Sequence, residues 1–283
     1  MTTKITYPKV NAALSVDYDF FCREDPMWDW GHQETPVFES GVAWWSRYRG
    51  LLLHKETSQL KHADVLPERF WDRISSVFDL KNIERILLAD SHRHAYAFFE
   101  GATTQPDFVI NIDAHHDFWP IERMPGVQAE NWAAHLYDKW AHATKFVQVY
   151  PKWKDPALDG PTAPRTPVIE RDLASFMKSM GSMRKLNGGK IRVRDLFICR
   201  SPSWVPPHLD KGLLKMIKQI TDMNPLAEQG FAEPMFKRSA PNQRDAEREF
   251  REHAAMFKQL MEDSIKAAAE EREAKEKTDE ATT

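Results

Sequence analysis

The sequence predicts an α/β protein of three layers, in which a mostly parallel β-sheet lies between two layers of helices and a long helix follows near the C-terminus. Short apolar runs alternate with stretches of helical spacing over residues 13–223, and this alternation is typical of parallel sheets covered by helices. Residues 242–277 are charged, rich in Ala and free of Gly and Pro, which favours one long helix. Hydrophobic residues make up 42% of the 283 residues, enough for a buried core.

Five apolar runs have the length and composition of buried strands. In chain order they are residues 13–21, 85–90, 108–113, 145–150 and 191–200. Helices are predicted at residues 67–80, 130–144 and 210–223. Pro67 opens the first of these helices at a position that suits Pro, and a loop rich in Pro, Asp and Gly is predicted at residues 152–166. Because the carboxyl ends of parallel strands meet at one edge of the sheet, the side chains that follow them are expected to meet there.

The chain is predicted to consist of an α/β metal-binding domain, residues 1–240, and a charged helical tail, residues 241–283. Apolar residues recur at helical spacing along the tail. They are Phe250, Ala254, Phe257, Leu260, Met261 and Ile265. This stripe fits a helix that packs on its own domain, and it fits an arm that binds a partner or a second copy of the chain.

Composition excludes several classes of function. A formal charge of −3 gives no electrostatic case for binding nucleic acid. The N-terminus lacks the apolar segment of a signal peptide, and no run approaches the ~18 apolar residues of a membrane helix. Cys22 and Cys199 do not make a disulfide framework, which favours a reducing compartment. The sequence therefore predicts a soluble cytoplasmic protein with neither a nucleic-acid nor a membrane partner.

The strongest chemical pattern follows the strand at residues 108–113, where the chain continues as Asp-Ala-His-His-Asp. Asp113, His115 and Asp117 are spaced two apart, so in an extended chain they share one face and can converge on one point. Burying these ionisable groups at a strand end is costly unless a cation neutralises them. Carboxylate and imidazole together suit manganese, zinc, iron or cobalt.

Two further groups of candidate metal ligands stand at other strand ends. Asp17 and Asp19 lie in the segment Val-Asp-Tyr-Asp, although Asp is depleted in strands. His92 follows the strand at residues 85–90 in the segment Ala-Asp-Ser-His. Because ligands gather at the carboxyl ends of parallel strands, the three groups are expected to meet and share metal.

These segments resemble the arginase/agmatinase (ureohydrolase) superfamily. Residues 113–117 resemble its Asp-Ala-His-x-Asp motif, residues 88–92 its Gly-Gly-Asp-His segment with both glycines replaced, and residues 15–19 its Phe-Asp-x-Asp segment. In the family the last segment follows the other two, whereas here it comes first. The resemblance therefore implies a circularly permuted arginase/deacetylase-like sheet, which is tolerated when chain ends lie close together. The peptide-arginase-like group is the most similar group.

The resemblance implies a centre of two divalent ions, most simply manganese. It assigns His92, Asp113, Asp117 and Asp17 to one ion, and His115, Asp113, Asp17 and Asp19 to the other. Such paired ions activate water for hydrolysis. The implied reaction cleaves a C–N bond of a guanidino group in a small compound or in an arginine-containing peptide, giving ornithine and urea from arginine.

Other site residues follow less directly. The resemblance implies substrate contact by Asn131 and proton transfer by His135, with Asp19 also at the reacting centre. Glu24 or Asp25, close after the Asp-x-Asp segment, is a candidate to bind the guanidinium group. Ser201, in the loop after the strand at residues 191–200, is a candidate to bind substrate at the same rim.

Two alternatives stay open at this point. A single-zinc deacetylase-like amidohydrolase of the same broad fold needs only an Asp-x-His pair and one further Asp, and it leaves the other candidates without a role. A non-catalytic, metal-stabilised module that presents its C-terminal helix to a partner is the second alternative.

Overall fold

The computed structural model describes residues 9–23, 43–48, 65–140, 143–158, 168–240 and 242–280. The chain divides into two compact units, and the boundary on the C-terminal side lies between Ser239 and Ala240. This boundary is one residue from the predicted one. The first unit contains the sheet, and the second contains the long C-terminal helix.

The first unit is built on one sheet of eight strands. The strands are β1 (Asn11–Asp17), β2 (Phe78–Asp79), β3 (Arg85–Ala89), β4 (Phe108–Ile112), β5 (Lys145–Tyr150), β6 (Val168–Asp172), β7 (Ile191–Cys199) and β8 (Glu228–Phe231). Their order is β6-β5-β4-β1-β7-β3-β8, with β2 paired beside them to β7. Every pairing is parallel. The strands β4, β1, β7 and β3 are therefore consecutive neighbours in the middle of the sheet.

Residues 43–48 form a short helix. Among the described residues, six further helices are found, five between strands of the first unit and one that dominates the second unit. They are α1 (Phe70–Ile74), α2 (His94–Glu100), α3 (Trp132–Lys139), α4 (Leu173–Leu186), α5 (Asp210–Met223) and α6 (Gln243–Glu280). The predicted α/β class, with its mostly parallel sheet and long C-terminal helix, is confirmed.

Alternating side chains of the central strand β1 divide the core into two layers. Leu14 belongs to a cluster on one face together with Phe176 of α4 and Leu213 of α5. Its neighbour Ala13 belongs to the other cluster, with Phe99 of α2. Successive side chains of a strand point to opposite faces, so helices cover both sides of the sheet and bury β1 completely. Burial on both faces explains why its sequence reads as an apolar run.

Several predicted elements have different bounds in the structure. The predicted helix at residues 67–80 is a 3-10 turn at Pro67–Arg69, the short α1 and the strand β2. The predicted strand at residues 13–21 ends at Asp17 and continues as a 3-10 turn. The helix α4, which the sequence analysis did not predict, begins after Asp172, whose carboxylate accepts hydrogen bonds from the backbone of Ala174 and Ser175.

The long helix α6 keeps its predicted apolar stripe exposed. Phe257 and Ile265 are each 66% exposed. Among the residues that the structure describes, no helix is both long enough and apolar enough to cross a membrane.

Candidate metal centre

The predicted ligands lie at one edge of the sheet, in the segments that follow three of its central strands. Asp17 ends β1, Asp113 follows β4, and His92 lies in the turn between β3 and α2. The strands β4 and β1 are direct neighbours, and β7 alone separates β1 from β3. The parallel sheet therefore brings together residues about a hundred positions apart in sequence.

One half of the site surrounds His92. Its Nδ1 lies 3.2 Å from Oδ2 of Asp17, 3.1 Å from Oδ2 of Asp113 and 3.0 Å from Oδ2 of Asp117. The imidazole and the three carboxylates are all at least 96% buried, with exposed fractions of 2%, 2%, 0% and 4%. The opposite ring atom, Nε2, lies 2.6 Å from Oγ of Ser15, and this contact fixes the ring orientation. Three acidic oxygens thus point at the same imidazole nitrogen.

The other half of the site surrounds His115. Its Nδ1 lies 3.0 Å from Oδ2 of Asp19 and 3.7 Å from Oδ1 of Asp113. Oδ1 of Asp113 also accepts a hydrogen bond of 2.8 Å from the backbone N–H of His115. Oδ1 of Asp19 accepts one of 3.3 Å from the backbone N–H of Ala114. Asp113 therefore directs one oxygen to each half of the site.

Three groups of possible ligand atoms are found among the described residues, and within each group the atoms lie within 4.8 Å of one another. One group is His92, Asp113 and Asp117, and a second is Asp19, Asp113 and His115. The third is Asp17, His92 and the thiol of Cys199. Asp113 is common to the first two groups. A carboxylate shared between two sets of oxygen and nitrogen donors is the arrangement that a pair of divalent ions requires.

The buried carboxylates at this edge repel one another. Burial raises the pKa of Asp19, and the carboxylates of Asp17 and Asp113 raise it further. Burial and the carboxylate of Asp113 likewise raise the pKa of Asp117. Burial lowers the pKa of His92, but the surrounding carboxylates raise it by more, so its pKa stands well above the usual value. A divalent cation would neutralise the repulsion that raises these pKa values, and its binding would release protons, so the donor set fits a metal.

Turns, rather than strand alternation, bring the ligands together. Oδ1 of Asp17 accepts a hydrogen bond of 3.1 Å from the N–H of Asp19 and so caps the turn that follows β1. The strand β4 ends at Ile112, before the Asp-Ala-His-His-Asp segment begins. Asp117 has φ of +55°, in the left-handed region, which is uncommon for a residue other than Gly. The predicted convergence along one strand face is therefore wrong in its mechanism, although the side chains do converge.

Buried neighbours hold the carboxylates in place. Nε1 of Trp132 donates a hydrogen bond of 2.7 Å to Oδ2 of Asp117. Nδ2 of Asn111 lies 3.2 Å from Oδ2 of Asp113 and 3.0 Å from Oε1 of Gln148. Partners of this kind orient metal ligands and tune their basicity. A hydrogen-bonding Asn in the fully buried strand β4 is a sequence signal that could have identified this support.

The ligands open into a small cavity of about 40 Å³. Asp17, His92, Asp113, His115 and Asp117 line it, together with residues that the sequence analysis did not predict for the site. These are His116, Trp119, Ala129, Glu130 and Trp204. The ring of Trp204 lies 5.2 Å from that of His115, centroid to centroid. We call this space the metal cavity.

The predicted proton donor and one predicted substrate contact lie elsewhere. His135 is not among the residues that line the metal cavity, and its Nε2 lies 3.1 Å from the backbone oxygen of Gly126. Asn131 is fully buried, donates to the oxygen of Gly126 at 3.1 Å and accepts from the N–H of Gln128 at 2.7 Å. Both residues therefore fix the loop before α3, and the geometry gives neither of them contact with a substrate.

The remaining predicted residues divide into two groups. Ser201 does line the metal cavity, but its hydroxyl donates to Oδ2 of Asp17, so it orients a ligand. Glu24 and Asp25 lie outside the described residues.

A buried ion pair connects the segment that follows β3, two residues before His92, with the segment that follows β7. Arg200, after β7, donates from Nε and a terminal nitrogen to both oxygens of Asp90, at 2.6 Å each. Both side chains are 4% exposed. Arg200 is therefore engaged within the fold rather than turned toward a substrate. Paired, bidentate contacts of this kind fix the relative position of two strands.

Comparisons of the chain with protein-family profiles, with curated proteins and with solved structures find no match.

Proposed function

We propose that the protein is a hydrolase with two divalent ions, manganese in our proposal, that cleaves a C–N bond of a guanidino group. A small guanidino compound or an arginine side chain in a peptide would be the substrate. The observation that carries this proposal is the position of Asp113, whose carboxylate belongs to two of the three groups of possible ligand atoms. A protein that held a single zinc ion would need only one of these groups.

The two ions would be held by separate groups with a shared member. His92, Asp117 and Asp113 would bind one ion, and His115, Asp19 and Asp113 the other. Three carboxylates and two imidazoles make a mostly oxygen donor set, which suits manganese better than softer metals. The thiol of Cys199, which belongs to the third group with Asp17 and His92, is not part of this set. When bound, paired ions supply an activated water and stabilise negative charge that develops on the substrate.

The walls of the metal cavity suit a cationic group. Trp119 and Trp204 line it, and Glu130 adds a carboxylate. Indole faces attract cations, and a guanidinium group stacks on aromatic rings. The cavity thus offers two aromatic walls and one acid in addition to the ligands. In this proposal, Glu130 binds the guanidinium group. The sequence alone had suggested Glu24 or Asp25 for this role.

Cleavage of a guanidino C–N bond expels an amine, which requires a proton. Glu130 lines the cavity where the proton is needed, whereas His135 does not. We therefore assign proton transfer to Glu130. Its carboxylate would accept a hydrogen bond from the guanidinium group, take up the proton that the attacking water loses, and deliver that proton to the leaving nitrogen.

The chain order of the motifs departs from that of the arginase/agmatinase superfamily, and a circular permutation would reconcile the two orders. The segment that comes first in the sequence belongs to β1, yet β1 lies inside the sheet, between β4 and β7. The Asp-x-Asp pair therefore reaches the other ligands from an interior strand. A permuted chain would have the same contacts with a different order of connections.

Metal content and urea release together test the proposal. Purified protein is to be loaded with manganese, freed of excess metal and analysed for metal per chain, then assayed with arginine, agmatine and an arginine-containing peptide. Two ions and urea from at least one substrate are expected. A matched variant, Glu130→Gln, should keep both ions and lose activity by about 10²–10⁴-fold, the usual contribution of a proton-transfer group.

Other outcomes would contradict the proposal in different ways. One zinc per chain and release of acetate from an acetylated amine would favour the deacetylase alternative. Two ions without hydrolysis of any guanidino compound would favour a metal-stabilised binding module.

A further inference from the structure

A second cavity adjoins the metal cavity. It has a volume of about 360 Å³, within the range of roughly 300–1,000 Å³ that is typical of small-molecule sites. Its lining consists of Arg93, Arg123, Met124, Pro125, Gln128, Ala129 and Glu130. Ala129 and Glu130 also line the metal cavity, so the two spaces share a wall. We call the second space the arginine cavity.

The arginine cavity is positively charged. Arg93, in the turn before α2, and Arg123, in the loop after β4, both line it, and Glu130 is the one acid in the lining. Neither guanidinium group has an ion-pair or hydrogen-bond partner among the residues that the structure describes. Two unpaired guanidinium groups in one concave site favour binding of a carboxylate, which they can grip with several parallel hydrogen bonds.

Hydrogen bonds within the loop before α3 fix the wall between the two cavities. The side chain of Asn131 holds both Gly126 and Gln128, and His135 contacts the same Gly126 oxygen. The N–H of Trp119 donates to the oxygen of Glu130 at 3.0 Å and closes the loop. The cavity is therefore formed before a ligand binds, which reduces the entropy that binding costs.

Size requires a substrate to extend beyond the metal cavity. A cavity of about 40 Å³ has room for about three water-sized spheres at ~10–15 Å³ each. That volume accommodates ions and a reacting group but not a whole amino acid. The rest of the substrate must lie outside, and the arginine cavity is the adjoining space with room for it.

From these observations we propose that the arginine cavity is an anion subsite, in which Arg93 and Arg123 bind a carboxylate of the substrate whose guanidino group enters the metal cavity. This inference rests on the proposed function. The substrate is then a guanidino compound with an acidic group near its reacting end. The acid is either the α-carboxylate of arginine or the side chain of an acidic residue next to arginine in a peptide.

Two pairs of ligands that differ by one charge distinguish these sources. Arginine and argininamide differ at the α-carboxylate, and acetyl-Glu-Arg-amide and acetyl-Gln-Arg-amide differ at the neighbouring side chain. Binding of each to the manganese-loaded protein is to be measured by calorimetry with the native chain and with Arg93→Gln, Arg123→Gln and the double variant. Arg73→Gln is the matched control, since Arg73 is exposed and lines neither cavity.

In at least one pair, the acidic ligand is expected to bind about 10-fold more tightly than its neutral counterpart, both to the native protein and to Arg73→Gln. The reason is that hydrogen bonds between charged groups are stronger than those between neutral groups. The double variant should bind both members equally, and the pair that responds identifies the source of the carboxylate. Equal binding of both members of each pair by the native protein would overturn the inference, as would a preference that persists in the double variant. If the neutral members also fail to bind a protein that carries two ions, the proposed function fails as well.

Discussion

Replacing Trp132 by Phe tests whether Asp117 is a metal ligand. Trp132 is fully buried, and its Nε1 donates a hydrogen bond of 2.7 Å to Oδ2 of Asp117. The same oxygen lies 3.0 Å from Nδ1 of His92. Trp132→Phe removes the donor and keeps an aromatic ring in the helix α3. The oxygen then retains the contact with His92 and the longer contact of 3.3 Å with Asn111.

The hydrogen bond from Trp132 to Asp117 determines how much Trp132→Phe should change metal affinity and stability. Loss of a partner that orients a metal ligand weakens metal binding by about 10–100-fold, and loss of a hydrogen bond to a charged group costs about 1.5–3 kcal/mol of stability. Only the ion assigned to His92, Asp113 and Asp117 should be affected. The ion assigned to His115 should bind as before.

Trp71→Phe is the matched control. Trp71 is 2% exposed, and its Nε1 donates a hydrogen bond of 2.8 Å to the backbone oxygen of Met216, within the core cluster on the opposite face. Both variants lose the same atoms and one hydrogen bond. Competition with a fluorescent chelator measures metal affinity, and thermal unfolding measures stability. Equal metal affinity in the two variants would refute the reasoning, whether both are weakened or neither.

Three further predictions concern the same edge of the sheet. Asp113→Asn should abolish binding of both ions, whereas Asp19→Asn should leave one ion per chain by elemental analysis, because only Asp113 belongs to both groups. With free metal at 100-fold the Kd of each site, removing metal with EDTA should lower the stability of the native protein by about 2.7 kcal/mol per ion, or about 5.4 kcal/mol for two ions, and it should not change the melting temperature of Asp113→Asn. Asp90→Asn should cost about 3–5 kcal/mol in urea unfolding, because it leaves the charge of Arg200 buried without its main partner.

The side chains that converge at this edge could be predicted from the sequence because of where polar residues interrupt apolar runs. Asp17 and Asp113 stand at the ends of strands buried on both faces, where Asp is otherwise disfavoured. In a parallel sheet such positions share one edge, so the pattern predicted which residues meet. Periodicity did not reveal the turns that join them, as the φ of +55° at Asp117 illustrates. The spacing of two residues along a strand therefore predicted that these side chains meet, although turns rather than strand alternation bring them together.

The walls of the two cavities could not be predicted from periodicity. Trp119 and Glu130 lie in an irregular loop, where neither helical nor strand spacing indicates which side chains face inward. Their position depends on hydrogen bonds within the loop, chiefly those of Asn131 with Gly126. The family resemblance implied substrate contact for Asn131 and proton transfer for His135. In the structure, both side chains form hydrogen bonds with the backbone of that loop.

Asp113 is proposed to join two ions in a single site, and electron paramagnetic resonance of the manganese-loaded protein detects such a pair. We expect two manganese ions per chain and the spectrum of a spin-coupled pair, which Asp113→Asn abolishes. A spectrum of isolated manganese at one ion per chain, or a coupled pair that persists in Asp113→Asn, would contradict it.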